Sequence, residues 1–175
     1  MRISVKEFRD PTDLAQAVRS HVQGRISPVI GIDGSDGTGK TALSKVLAEK
    51  LGAVALELDS YTQKDGRPYR EQLKYDEIAC DLAKLRGKPV IVDGICLLDV
   101  MDKIGVKLDA LVYVKKMNDI GLWPDEDTCD PERINLDRPM LKMAGAGVAR
   151  EVASYHRDRD PLGKADFLFV RVVPS

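Results

Sequence analysis

Little in this chain ties it to a membrane, an oxidising compartment or a polyanion. The three cysteines among its 175 residues, Cys80, Cys96 and Cys129, are odd in number and far apart, with no Cys-x-x-Cys or histidine-rich spacing. That excludes a disulfide framework and a zinc cluster and leaves two buried small hydrophobes and one loop thiol as the plain reading. Charge of neither sign dominates: the net charge is -1 and there is no long basic run. Nothing electrostatic argues for a nucleic-acid footprint, although a local basic patch at a site is compatible with such a balance. No apolar run reaches spanning length and no N-terminal signal pattern is present, so the expectation is a cytoplasmic protein without a membrane partner. Repeats, low-complexity tracts and domain linkers are also missing, and residues 1–175 are expected to form one domain. Hydrophobic content of 43% and charged content of 31% are ordinary, and a chain of this length buries about 70% of its unfolded surface.

What the sequence does have is the stretch Val29 to Thr41, VIGIDGSDGTGKT. Val29 to Asp33 is a short β-branched apolar run, Gly34 to Thr41 matches G-x-x-x-x-G-K-[ST], and a periodic helix opens at Lys40. Strand, phosphate loop and helix are the context in which this motif carries meaning. Gly34, Gly37 and Gly39 let the backbone turn tightly and aim successive N–H groups inward at an anion. The helix that follows adds the positive end of its dipole. Ser35, Asp36, Thr38 and Ala42 complete the expected cradle for a triphosphate. Lys40 would reach the β- and γ-phosphates, and the Thr41 hydroxyl would ligate Mg²⁺. The competing reading is an ordinary glycine-rich βα turn.

In chain order, Asp10-Pro11 caps a helix running to Gly24 with Leu14, Ala17, Val18 and Val22 on one face. His21 lies beside that face and reads as structural. The helix Thr41 to Leu51 carries Leu43, Val46, Leu47 and Leu51 as its buried stripe and stops at Gly52. Ala53 to Leu58 is a strand ending in Asp59-Ser60-Tyr61, and Thr62 to Arg70 is loop. Glu71 to Arg86 is expected to be one helix, with Tyr75, Ile78, Ala79, Leu82 and Leu85 inward. Pro89 to Asp93, Leu108 to Lys115 and Asp166 to Val173 are apolar runs of the kind buried on both faces of a parallel sheet. The expected architecture is therefore α/β, a three-layer phosphate-loop NTPase-type fold whose parallel sheet of about five strands is flanked by helices. Between Lys116 and Arg138 periodicity fails, and residues 116–138 read as a mobile lid rather than a core element.

In an open parallel sheet the ligand lies off the carboxyl ends of the strands. Three acids stand at such ends: Asp33, Asp59 and Asp93. Asp93 closes an apolar strand in the Walker B manner and would hold Mg²⁺ directly or through water. Asp59 ends the neighbouring strand where an acceptor hydroxyl would meet the γ-phosphate, and would accept the hydroxyl proton. Position alone leaves open which of the two is the base, and a helix cap or turn is the plainer role for each.

Gly34 to Thr41, Leu58-Asp59-Ser60-Tyr61, Tyr75-Asp76, Val90 to Ile95 and Lys164-Ala165-Asp166, in that order, resemble the uridine kinase and nicotinamide riboside kinase group of P-loop kinases. The resemblance implies an ATP- and Mg²⁺-dependent transfer of the γ-phosphoryl group to a hydroxyl of a ribose-bearing small molecule. It implies Asp59 as general base, Tyr75 and Asp76 at the acceptor, and residues Pro161 to Ala165 beside the adenine. The group often has glutamate where Asp93 stands. Its lid commonly carries closely spaced arginines soon after the fourth strand; here that region is acidic and only Arg133 and Arg138 are available to the γ-phosphate. Tyr61, Arg67, Tyr69 and Trp123 are further candidates for substrate contact, equally readable as solvent-facing loop. Two alternatives stand beside this expectation. One is a kinase of another small acceptor, such as pantothenate or a phosphosugar, with Arg67 and Arg70 as extra cations. The other is a non-kinase nucleotide-binding regulatory module, which the lack of an Asn-Lys-x-Asp element disfavours. Oligomeric state is not legible.

Overall fold

The computed structural model describes residues 5–174. The elements run β1 (Lys6–Phe8), α1 (Pro11–His21), β2 (Val29–Asp33), α2 (Lys40–Leu51), β3 (Val54–Glu57), α3 (Tyr69–Gln72), α4 (Tyr75–Lys84), β4 (Val90–Asp93), α5 (Leu97–Lys103), β5 (Ala110–Asn118), α6 (Glu126–Cys129), α7 (Pro139–Lys142), α8 (Gly147–Arg159), α9 (Pro161–Lys164) and β6 (Phe167–Val173). The strands form one parallel sheet in the order β1-β6-β5-β2-β4-β3. Parallel neighbours need a crossover, and the intervening helices supply it.

Alternation along the central strands explains why both faces are covered. Ile30 and Ile32 of β2, Ile91 of β4 and Val112 and Val114 of β5 point to the face packed by Leu14 and Val18 of α1 and Leu43 and Leu47 of α2. Val90 and Val92 of β4 and Leu111 and Tyr113 of β5 point to the other face, against Ile78 and Leu82 of α4, Leu97 and Val100 of α5 and Val152 of α8. Each strand is thus apolar at successive positions. Gly31 keeps the second face close: a Cβ there would stand 2.7 Å from a methyl of Leu97 and 2.6 Å from one of Leu108. The three-layer α/β expectation holds.

Several boundaries differ from the sequence-based ones. The sheet has six strands rather than about five, because Lys6–Phe8 adds a three-residue edge strand beside β6, too short to show a period. The helix expected over 71–86 is two helices. Leu73 between them is extended and bridges Thr62, with Gln63 N–H donating to Gln72 O and Lys74 N–H to Tyr61 O; that pairing takes the groups a continuous helix would need. Val46 lies off the buried stripe of α2, which runs through Lys40, Leu43, Ser44, Leu47 and Ala48. The segment 116–138 is not all excursion: Lys116, Met117 and Asn118 still belong to β5, and Cys129 of α6 is fully buried. Cys96 is the other buried thiol, and the exposed one, Cys80, sits on α4 rather than in a loop. His21 is exposed, its ring edge-on to Phe167.

The α2 packing gives a direct test. Leu47→Ala should lower stability to urea by about 2–5 kcal/mol, because a cavity opens under the sheet. Val46→Ala should change it by about 0.5 kcal/mol or less; equal losses for the two would refute the stripe assignment.

Candidate active site

The carboxyl ends of β2, β3 and β4 bring the sequence motifs to one edge. Leaving β2, the chain turns through Gly34, whose φ is +148° and whose missing Cβ would stand 2.6 Å from Val114 O. It enters α2 at Gly39, left-handed at φ +95°. Any side chain would strain both positions. Lys40, the first residue of α2, is buried, and its Nζ donates to Ser35 O across the loop at 2.6 Å. Burial lowers its pKa, while the carboxylates of Asp33, Asp36, Asp59 and Asp93 work the other way. All three strand-end acids therefore lie within electrostatic reach of one lysine.

The Thr41 hydroxyl donates to Asp93 Oδ2 at 2.9 Å, with Glu57 Oε1 at 3.3 Å. Glu57, the last residue of β3, pairs in register with Asp93. Sequence reading passed over it, although an acid one strand away from Asp93 at the same level was legible once register was known. Burial, helped by the charge of Glu57, raises the Asp93 pKa. The trio offers hard oxygens, the donor type that suits Mg²⁺. Among the described residues no group of three or more His, Cys, Asp or Glu is arranged to hold a metal unaided; Mg²⁺ commonly takes one or two carboxylates and completes its shell with phosphate and water.

Asp59 lies just beyond β3, and its Oδ1 accepts from Tyr69 Oη at 2.7 Å. The other expected acceptor-site residues have separate engagements. Tyr61 Oη donates to Asp81 at 2.9 Å. Tyr75 Oη donates to Arg70 O at 2.6 Å, with the Lys103 ammonium 3.7 Å from its ring centroid. Asp76 is exposed in the first turn of α4. Arg133 pairs with Glu126 at 2.6 Å and Arg138 pairs with Asp127, so both arginines are held by acids of their own segment. Trp123 lies under Lys115, 4.0 Å from the ammonium.

Two cations outside the motif also reach the loop. Lys116 and Arg171 are register partners on β5 and β6, and they lie 3.5 Å from Gly37 O and Thr38 O respectively. Arg171 Nη1 occupies the space a Gly39 Cβ would enter, 2.6 Å away. No local motif marks such residues, since strand pairing places them.

Behind the loop lies a polar network. Asp33 is fully buried; it accepts from Gly34 N–H at 2.7 Å and from Tyr155 Oη, which itself accepts from Leu98 N–H at 3.1 Å. Next to it the His156 Nδ1–H donates to Val152 O at 2.8 Å, leaving Nε2 to accept from Tyr113 Oη at 2.8 Å. Burial holds this imidazole neutral by lowering its pKa to about 4. Burial also pushes the Asp33 carboxyl up to about 6, against the pull of Tyr155 and Gly34. A cleft of about 920 Å³ between β1 and α1 contains none of these residues.

No family model matches the chain. Two curated relatives, each described as a "Putative adenylate kinase", from Thermococcus kodakarensis and Thermococcus gammatolerans, are 36% identical over 74 residues. Each match covers 38% of this chain, which spans 40% of those relatives' length. A solved structure described as a possible uridine kinase from Bacillus stearothermophilus is similar over 91% of this chain and 97% of its own, with a TM-score of 0.58 at 14% identity. That likeness is one of fold: a parallel sheet flanked by helices on both faces. Among the described residues no helix is long and apolar enough to cross a membrane.

The Asp33 carboxyl makes stability depend on pH in a defined sense. The folded state holds that proton more tightly than the unfolded chain, so its contribution is full below an ordinary 3.8 and is lost as pH rises through about 6. Relative to Asp33→Asn, the wild type should therefore lose on the order of 3 kcal/mol between pH 4 and pH 7.5. Urea midpoints of both proteins across that range check it; a difference that is flat with pH would remove the buried charge as its cause.

Proposed function

We propose that this chain is an ATP- and Mg²⁺-dependent kinase that moves the γ-phosphoryl group to a hydroxyl of a nucleoside-like, ribose-bearing small molecule. The observation that carries the reading is the convergence of Lys40, the Thr41–Asp93 contact and Asp59 on one phosphate loop. The fold, the sequence resemblance and the similarity to a possible uridine kinase support it.

In this reading the loop backbone from Gly34 to Thr41 and the amino end of α2 cradle the triphosphate. Lys40 leaves Ser35 O for the phosphates and offsets charge as it develops on the transferred group. Thr41, Asp93 and Glu57 would hold Mg²⁺, which would neutralise phosphate charge. The acceptor oxygen bonds to the γ-phosphorus, the bond from phosphorus to the β,γ-bridging oxygen breaks, ADP carries away that electron pair, and Asp59 takes the hydroxyl proton. Lys116 and Arg171 would steady the loop and add positive charge beside the nucleotide. Residues 119–138 would close over the site as a lid, and Arg133 or Arg138 would have to give up its acidic partner to reach a phosphate. The reading places the protein in the cytoplasm, acting on small molecules and not on nucleic acid or membranes.

A phosphorylated or otherwise anionic acceptor is the weaker alternative on a specific observation. Arg67 is engaged by Asp65 at 2.5 Å, and Arg70 by both Glu151 and Asp99, so the two expected extra cations are already neutralised.

The decisive assay is ADP formation with Mg²⁺-ATP against a panel of nucleosides, vitamins and sugar phosphates. One ribose-bearing compound should stimulate turnover, and Asp59→Asn should cut it about 10²-fold or more while preserving nucleotide binding. Binding of ATP without stimulation by any compound would instead favour a regulatory module. In the same assay Arg171→Gln should raise KM for ATP several-fold with little change in kcat; an unchanged KM would remove Arg171 from the nucleotide site.

A further inference from the structure

We infer that Glu151, on a helix that carries no recognisable motif, positions the proton-accepting carboxylate Asp59 through Tyr69. This inference rests on the kinase reading of Asp59 given above.

Glu151 is a buried carboxylate in the first half of α8. Its Oε2 accepts from Tyr69 N–H at 2.7 Å, and its Oε1 accepts from Arg70 N–H at 3.0 Å and Arg70 Nε at 2.8 Å. Both oxygens are thus spent on the first turn of α3, whose four residues are too few to form a helix unaided. Arg70 reaches on to Asp99 of α5, so this turn is fastened to two longer helices at once. The fastening fixes the Tyr69 side chain. Its ring is buried, and its hydroxyl donates to Asp59 Oδ1 at 2.7 Å.

Asp59 itself lies in an exposed turn after β3, where a carboxylate would otherwise sample several rotamers. Tyr69 reserves Oδ1 and leaves Oδ2 to face an acceptor hydroxyl. Burial raises the phenol pKa far above its ordinary value, so the hydroxyl remains a donor wherever the enzyme works. A buried carboxylate is a costly way to fasten two segments, since a hydrophobic contact could do so without desolvating a charge. What the carboxylate adds is direction: two adjacent backbone N–H groups and a guanidinium must all point at it, and that sets where Tyr69 Oη falls. A base displaced by about 1 Å loses on the order of 10²-fold in rate, so small errors in this chain of contacts reach turnover.

The test is a double-mutant cycle on Mg²⁺-ATP turnover with water as the acceptor, which requires no knowledge of the natural one. Four proteins are compared: wild type, Glu151→Gln, Asp59→Asn and the double variant. If Glu151 acts through Asp59, Glu151→Gln lowers kcat about tenfold or more with KM for ATP within about twofold, and adds nothing in the Asp59→Asn background. Equal loss in both backgrounds, or no loss in either, overturns the positioning role. Should Asp59→Asn itself leave turnover unchanged, the base assignment fails and the positioning role falls with it. Tyr69→Phe removes only one hydroxyl from a buried ring and guards against a misfolded Glu151 variant. It should reproduce the kcat loss and the same coupling to Asp59, and normal kcat in Tyr69→Phe would overturn the inference by itself.

Discussion

A lysine and an aspartate of opposite sign, both shut away from water at the carboxyl end of β2, set the terms for much of this fold. Lys40 and Asp33 do not pair directly, and each charge must be compensated where it stands. Lys40 turns back onto Ser35 O. Asp33 takes the Gly34 N–H and the Tyr155 hydroxyl. The second of these comes from α8, 122 residues later, so the carboxyl-terminal part of the chain is docked directly behind the loop. That demand accounts for the buried Tyr155 of α8; Glu151 and His156 on the same helix answer to other partners, the first turn of α3 and Tyr113.

It also explains which parts of the structure were legible in the sequence. The phosphate loop could be read because its requirements are local: glycine at a left-handed helix entry, and lysine and threonine at fixed offsets. Strands β2, β4, β5 and β6 could be read because both faces of the sheet are covered, which leaves each a continuous apolar run. Helix α8 could not, since its inward face mixes Glu151 and His156 with Val152, Ala153 and Tyr155, which blurs the hydrophobic period. Helix α5 follows its strand after three residues and is only seven residues long, below the length at which a 3.6-residue period declares itself. The break at Leu73 was hidden for a different reason. Its cause is a pairing with Thr62 in the preceding loop, and no property of residues 71–86 themselves records that partner.

The candidate site divides along the same line. Asp93 and Asp59 were legible as acids at strand ends, and the structure sets both near Lys40. Glu57, Lys116 and Arg171 were not singled out, because each owes its place to register between strands and not to a motif. Tyr69 was legible only as a tyrosine in a polar loop. Its meaning comes from two contacts that are remote in sequence, Asp59 on one side and Glu151 on the other.

The electrostatics of this edge have a direction. On one side stands a buried lysine whose charge is disfavoured by desolvation. On the other, Glu57 and Asp93 converge on a single threonine hydroxyl, and Asp93 is pushed toward its neutral form by burial and by its neighbour's charge. Each half relieves the other only in part: burial still outweighs the attraction between Lys40 and Asp93 at both groups. An anion would relieve the first half and a divalent cation the second, and a triphosphate chelated to Mg²⁺ brings both signs at once, in the order in which the loop presents their complements. Under the kinase reading, the mismatch in the free protein is therefore a store of binding free energy. Each component alone would release part of it and a ligand carrying both charges would release the whole, which favours the metal–nucleotide complex over either component alone.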